Sequence, residues 1–387
     1  MPRAPRSVLL IINRLAPIGG AETQLTHLAE GLAAAGHRVT VCCMDSSTSD
    51  PDELARSGIA LVELGAARRL ARIAAIPRLV RLARRADLVQ CTMWDSSLWG
   101  RIAAILARRP VIVADHATDR SVQIATNGRP RGSWIALHNK LLDRFTFATV
   151  ACAISQRPVL IGEGVAPEKI VHIPNGVPIA RMLRAAAAGR GREELGLPGA
   201  GPIALQVGVF RPEKNQIGGL EAFAAVPRQV AGAHLVFVGD GPERERVERR
   251  AAELGAGGWA HFLGQRTDVS ALLAHTDLML LPSTSDAMPM AVIESLTLGV
   301  PVVASDVGDV KETVGDAGIC VPVGDAGALA AACVHVFSDP ELRRRMSDAA
   351  RERSRAFDST TMVKRYEALF EAACEDSDPR AAVAAVG

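Results

Sequence analysis

At 387 residues the chain exceeds the roughly 100–200 typical of one domain, and 48% hydrophobic content supplies two cores, which excludes a disordered chain. Lys and Arg number 44 against 42 Asp and Glu, a net charge of +2 that gives no global reason to expect a nucleic-acid partner. Seven scattered cysteines with no CxxC pair argue against structural zinc and a disulfide framework and fit a reducing cytosol.

Val8–Ile12 follows Arg3 and Arg6, is too short for a signal-peptide core and runs into a glycine-rich turn, so it reads as a first strand. No apolar run approaches the roughly 20 residues that span a bilayer. A soluble cytoplasmic protein is expected, with peripheral membrane contact left open.

The first half alternates short apolar runs with helical patterns. Strands are expected at Ser7–Asn13, Arg38–Cys43, Ile59–Leu64, Asp87–Thr92, Pro110–Asp115, Ala148–Ile154 and Lys169–Ile173, with helices such as Ala21–Ala35 and Ser96–Arg108 between them. Apolar strands separated by helices mean a parallel sheet covered on both faces. In the basic stretch Arg68–Arg85, helical spacing from Arg78 puts Arg78, Arg81, Arg84 and Arg85 on one face and Leu79, Val80, Leu82 and Ala83 opposite. The expectation is a surface helix covering the sheet, shortened by Pro77; docking on anionic lipid is the alternative.

The pattern breaks near Asn175–Gly176, and Ala- and Gly-rich sequence from Ala185 to Gly201 reads as a linker. A second strand series follows at Ile203–Val209, His234–Gly239, Ala260–Leu263, Asp277–Pro282, Pro301–Ser305 and Gly318–Val321. Helices over Pro340–Ala356 and Thr360–Glu375 close the chain. Two doubly wound units in series place a ligand where the carboxyl ends of strands face each other across a cleft. The expected division is 1–178, a linker 179–201, 202–358, and a final segment 359–387.

Candidate chemistry clusters at strand ends. After Ile203–Val209 comes Gly-Val-Phe-Arg-Pro-Glu-Lys, so Arg211 and Lys214 leave the carboxyl end of a central strand. Two cations beside a glycine suit a diphosphate neutralised without metal, and equally suit a solvated loop. Ser283 to Glu294 follows another strand and opens a helix, whose first N–H groups favour phosphate or sugar hydroxyls. Asp286 sits in that loop. Glu294 falls on the first or second turn, where a carboxylate can grip a ribose diol or serve as an ordinary helix-start acid. In the first half, Gly19 and Gly20 precede a helix and permit close backbone approach of a ligand. Neither that loop nor Gly239-Asp-Gly241 forms GxGxxG, which argues against a dinucleotide enzyme. His116 follows the strand Pro110–Asp115; a lone histidine is ordinarily structural, and its place at a strand's carboxyl end, facing the expected cleft, makes a functional role the alternative.

In order and spacing these segments resemble the family-4 retaining glycosyltransferases. The resemblance runs through Gly19-Gly20-Ala21-Glu22, Gly36-His37-Arg-Val-Thr-Val41, Ile173-Pro-Asn-Gly-Val177, Arg211-Pro-Glu-Lys214 and Val238-Gly-Asp-Gly-Pro242. It continues through Phe262-Leu-Gly264, Leu281-Pro-Ser283, Glu294 and Gly299 to Ser305. It implies an α/β GT-B fold of two facing Rossmann-like domains, the last helix, with Tyr366, crossing back to the first. The first domain would bind acceptor and the second the nucleotide sugar.

The resemblance further implies that Lys214 and a nearby arginine grip the nucleotide diphosphate and that Glu294 holds the ribose. Asp286 would touch the transferred sugar, as first acid of a Glu-x7-Glu motif shortened here by one methylene. Backbone groups of Met288, Met290 and Ala291 would contact sugar and phosphate, with His116 beside the reacting sugar and Gly19 and Gly20 near the diphosphate. Two further departures are Ala287, where glycine is usual, and Val209, where arginine is common; Arg211, two residues on along an extended chain, faces the same side.

The expected activity is sugar transfer with retention from a nucleoside diphosphate sugar, UDP favoured over GDP, with no metal or other cofactor. The acceptor would be a small molecule, a saccharide or a lipid-linked glycan, met by loops such as Thr118–Ser133, with domain closure excluding water. A nucleotide-sugar epimerase on the same fold and a non-catalytic donor-binding subunit are the alternatives.

Overall fold

The computed structural model describes residues 4–16, 19–47, 51–116 and 132–386, and the chain divides into two compact units, Met1–Gly176 with Ser359–Gly387, and Val177–Asp358. The expected acceptor loop 118–133 falls almost wholly outside the described residues.

The first unit holds a seven-stranded sheet, β1 (Ser7–Ile12), β2 (Arg38–Cys43), β3 (Ile59–Glu63), β4 (Leu88–Thr92), β5 (Val111–Asp115), β6 (Ala148–Ala151) and β7 (Ile170–His172), in the order β3-β2-β1-β4-β5-β6-β7. Every pairing is parallel. Alternate side chains of β1 feed opposite faces, as strand geometry requires. Val8, Leu10 and Ile12 pack with helices Gly20–Ala34 and Ser359–Glu375, including Leu25, Leu28, Met362, Tyr366 and Phe370. Leu9 and Ile11 pack with Leu79, Val80 and Ala83 of helix Arg69–Arg84 and with Ala103 and Ala104 of helix Trp94–Ala107. The expected closing helix thus completes the first unit's core. His37, in the Gly36-His37 segment, ties it down: its Nδ1 accepts from the Arg6 N–H at 3.1 Å, and its Nε2 lies 3.0 Å from Glu367 Oε1.

The second unit holds a six-stranded parallel sheet, β8 (Ile203–Val207), β9 (His234–Val238), β10 (Ala260–Phe262), β11 (Leu278–Leu281), β12 (Val302–Ser305) and β13 (Gly318–Val321), in the order β10-β9-β8-β11-β12-β13. Strand order reverses between β1 and β4 in one sheet and between β8 and β11 in the other. A ligand crevice opens at the carboxyl ends at such a reversal.

Two expectations are corrected. Residues 179–201 are no linker: Ile179–Ala186 is helical, and Leu195 and Leu197 are buried in the second unit's core beside Ile203 and Val236. Those leucines outweigh the small residues around them. Nor does Pro77 shorten its helix, which runs unbroken from Arg69 to Arg84. A proline deletes one N–H and crowds the carbonyl four residues back. Here that position is Ile73, on an exposed stretch where water can take up the freed carbonyl.

Candidate active site

In the second unit the chain leaves β8 through Gly208 and Val209. Phe210 turns inward, 1% exposed, with its ring 6.0 Å from Phe237 and 6.5 Å from Phe262. That anchor sets the neighbours' direction. Arg211 is extended at φ −129°, ψ 157° and exposed, with no carboxylate partner among the described residues. A short 3-10 turn, Pro212–Lys214, follows. Asn215 adopts the left-handed conformation at φ 48°, accepts from the Gly218 N–H at 3.2 Å to cap helix Gln216–Phe223, and donates to the Pro282 carbonyl at 3.1 Å. The Thr284 N–H donates to Glu213 O at 2.8 Å. The loops after β8 and β11 are therefore stitched together at the strand-order reversal.

This stitching brings Lys214 and Asp286 into a half-buried ion pair, Nζ to Oδ2 at 2.6 Å. The family resemblance implies different parts of a donor for them, the diphosphate and the sugar; the structure joins them. Gly308, at φ +52°, packs under the same loop, and a Cβ there would sit 2.0 Å from the Asp286 carbonyl oxygen. Ala287, Met288 and Met290 are buried, and helix Met290–Thr297 begins after Pro289 with no side-chain cap. Its first N–H groups, including those of Met290 and Ala291, have no intrahelical acceptor and form an anion-attracting end.

Glu294 stands on the second turn of that helix. It is half-buried, its carboxylate has no hydrogen-bond or ion-pair partner among the described residues, and burial alone pushes its pKa up to about 7. An acid held out of bulk water without a donor is costly, so a ligand presenting hydroxyls would relieve it.

In the first unit, Gly19 precedes helix Gly20–Ala34 in an extended conformation. The Glu22 carboxylate folds back over it: a Cβ on Gly19 would lie 2.0 Å from Oε2. A side-chain carboxylate thus sits at the helix end expected to meet a phosphate. His116 follows β5 and is half-exposed by surface, yet the atoms packed round the imidazole drive its pKa down to about 4 against the opposing pull of Asp115. It is a neutral imidazole at neutral pH.

Sequence reasoning missed three residues that position this site. Gln206, 4% exposed, donates from Nε2 to the Lys214 carbonyl at 3.1 Å; one polar residue inside an apolar strand was its signal. Asn215 was signalled by an Asn just before a helix. Gly308 had no signal, because its constraint comes from a loop distant in sequence. Among the described residues no cluster of three or more His, Cys, Asp or Glu side chains could hold a metal ion.

Comparisons with known proteins bear on the family and the fold. Residues 18–181 match the family model "Glycosyltransferase Family 4" and residues 190–353 the model "Glycosyl transferases group 1". N-acetyl-alpha-D-glucosaminyl L-malate synthase of Bacillus anthracis is 32% identical over 182 residues, 46% of this chain and 48% of that protein. Glycogen synthase of Mycobacterium tuberculosis is 28% identical over 401 residues, 92% of each chain. Coverage of other curated relatives is shorter: 47% of a lipopolysaccharide core glycosyltransferase of Rhizobium meliloti and 28% of an exopolysaccharide phosphotransferase of Streptomyces coelicolor. Among solved structures, HepE of Anabaena in complex with UDP and glucose superposes with a TM-score of 0.81 at 22% identity, covering 94% of this chain and 98% of that one. That likeness carries the fold.

The fold is GT-B, two parallel Rossmann-like sheets. The chain belongs to the family-4 glycosyltransferases.

Proposed function

We propose that this chain transfers a sugar from a nucleoside diphosphate sugar to an acceptor hydroxyl, with retention at the anomeric carbon and without a metal. The observation that carries the reading is Glu294, a half-buried carboxylate with no described partner at the carboxyl-end face of the second sheet. A ribose diol supplies the two hydroxyl donors such an acid accepts. Exposed Arg211, Lys214 and the uncapped helix start at Met290 would neutralise the diphosphate as it leaves. Each well-placed donor of this kind contributes about 3–4 kcal/mol to the transition state. Asp286 would receive sugar hydroxyls, and the neutral imidazole of His116 would hydrogen-bond the reacting sugar.

A UDP-sugar is favoured because HepE binds UDP and UDP-glucose on this fold. A GDP-mannose-dependent mannosyltransferase of Mycobacterium tuberculosis, 29% identical over 269 residues, keeps GDP-sugars in the test. The cytosol is the proposed compartment, since all seven cysteines are free thiols. Acceptors to be tried are small polar molecules, saccharides and lipid-linked glycans. A second reading, a donor-binding subunit without turnover, is favoured by the Lys214–Asp286 pair, which occupies both a proposed phosphate cation and the proposed sugar acid.

A nucleotide-sugar panel scored by thermal shift, followed by product analysis, tests both. Donor at about 100 times its dissociation constant stabilises by about 2.7 kcal/mol. Turnover by the isolated chain eliminates the second reading. Activity lost in EDTA and restored by Mn²⁺ or Mg²⁺ overturns the metal-free mechanism, and no stabilisation by any nucleotide sugar overturns the whole.

A further inference from the structure

The basic helix of the first unit does cover the sheet, as the sequence reading expected, but its outer face asks for a partner of its own. Leu79, Val80 and Ala83 are buried against β1 and β4. On the opposite side Leu70 is 80% exposed and Ile73 is also exposed. Helical spacing continues that stripe through Arg81 and Arg84, flanked by Arg78 and Arg85, all four exposed. The helix contains no acidic residue, and these four guanidiniums form no ion pair among the described residues.

The layer extends sideways. Helix Trp94–Ala107 packs beside Arg69–Arg84, and buried Arg101 reaches from it to Asn139 at 2.8 Å, fixing helix Gly132–Leu142 alongside. Leu106, Leu137, Leu141 and Phe145 are exposed on these neighbours. Six of the ten large apolar side chains exposed among the described residues thus lie on this one layer. Cations accompany them: Arg108 is exposed, and Arg144 lies over the Phe145 ring at 4.6 Å. Asp143, the acid next to them, is buried and turned to Lys169 at 3.9 Å. The helices on the other face of the same sheet, Gly20–Ala34 and Ser359–Glu375, expose no large apolar side chain and carry five acids, Glu22, Glu30, Glu367, Glu371 and Glu375, against Lys364 and Arg365.

We propose that this helical layer docks on an anionic lipid bilayer. The interleaving decides the occupant. Guanidiniums meet lipid phosphates while leucine, isoleucine and phenylalanine enter the acyl boundary, the pairing of an interfacial helix. A nucleic acid would reward the arginines and leave the aliphatic side chains in water. The proposal is independent of Arg211, Lys214, Asp286 and Glu294, which lie in the second unit.

The test is flotation of the full chain with vesicles of phosphatidylcholine alone and of an equal mixture with phosphatidylglycerol, at low and high salt. Binding is expected to the mixed vesicles only, weakened by salt. An arginine near an anionic surface contributes about fivefold to partitioning, so Arg78→Gln, Arg81→Gln, Arg84→Gln and Arg85→Gln together should cost roughly a hundredfold or more. Leu70→Ser with Ile73→Ser, at exposed positions, should also release the protein from vesicles. Both variants should keep the wild-type thermal shift with nucleotide, which separates this surface from the donor site. No binding to mixed vesicles overturns the proposal. So does vesicle binding that survives Leu70→Ser with Ile73→Ser unchanged, or capture by heparin beads with none by vesicles, which assigns the face to a soluble polyanion.

Discussion

The Glu294 side chain sets a binding energy and a stability in opposite directions. Its carboxyl titrates at about 7 against an ordinary 4.5. Between those values the unfolded chain has released the proton and the folded chain retains it, so the group lowers stability progressively from pH 4.5 to 7 and by a constant amount above. Glu294→Gln should therefore raise the melting temperature of the ligand-free protein at pH 8 and leave it unchanged near pH 4. The same substitution removes the charged acceptor for ribose. A charge-assisted bond is worth about 1.5–3 kcal/mol, or roughly ten- to a hundredfold in affinity, and calorimetric titration with UDP measures it. The UDP terminal phosphate ionises near pH 6 in both proteins, so the contribution of Glu294 is the difference between the two pH profiles, which should grow up to about pH 7 and then level off. Equal affinity of the two proteins sends the ribose elsewhere. Asp286→Asn behaves differently: it frees Lys214 Nζ from its 2.6 Å partner, so UDP should bind at least as well while transfer falls away. Asp286→Glu asks whether the short acid is an adaptation. A pocket built round aspartate loses rate or changes donor; a weakened transferase gains rate.

At the scale of elements, the site depends on two loops being held in register, and Asn215 is where that can be broken. Asn215→Ala loses the helix cap, about 1 kcal/mol, loses the bond to the Pro282 carbonyl, and forces a Cβ-bearing residue without a local hydrogen bond to stay at φ 48°. Asn215→Gly keeps that backbone conformation and loses only the side-chain bonds. Chemical denaturation should rank the proteins wild type, Gly, Ala, and UDP affinity should follow the same order if the register of Lys214 against Asp286 matters. An alanine variant with full affinity would show the loops to be held by other bonds. The strands themselves were legible in the sequence, since apolar runs such as Val8–Ile12 and Leu278–Leu281 are buried on both faces and cannot be hidden by context. Capping and strand-end position exposed Lys214, Asp286 and Glu294 as candidates. The ion pair between the first two was not legible, because 72 residues separate them and only the tertiary stitching makes them neighbours. The misread linker has the opposite cause: between Ala185 and Gly201 local composition is loop-like, and the two leucines that decide its fate act through contacts with Ile203 and Val236.

For the whole molecule, the path of the chain predicts which pieces stand alone. The second unit is one continuous stretch, Val177–Asp358, and its ends meet: the Val177 N–H donates to the Phe357 carbonyl at 2.9 Å, and Val177 pairs with Asp358 in an isolated bridge. Both of its core clusters are built from its own residues. The first unit is discontinuous, and its core takes Met362, Val363, Tyr366, Leu369, Phe370 and Ala373 from the segment after the second unit. Burying a large apolar side chain contributes about 1.5–3 kcal/mol, so losing that helix removes on the order of 10 kcal/mol, comparable with the whole stability of a domain, about 5–15 kcal/mol. Gln24 would also lose Met362, and His37 would lose Glu367. Residues 177–358 expressed alone should therefore unfold cooperatively and bind UDP, since Arg211, Lys214, Asp286 and Glu294 all lie within them. Residues 1–176 alone should be molten or aggregate, and should recover a cooperative transition when 359–387 is supplied through a short linker after Gly176, whose amide already lies beside that helix: a Cβ on Gly176 would be 2.9 Å from Ser359 Cα. If the second fragment folds but binds no nucleotide, the donor site assigned to Arg211, Lys214, Asp286 and Glu294 is wrong or incomplete.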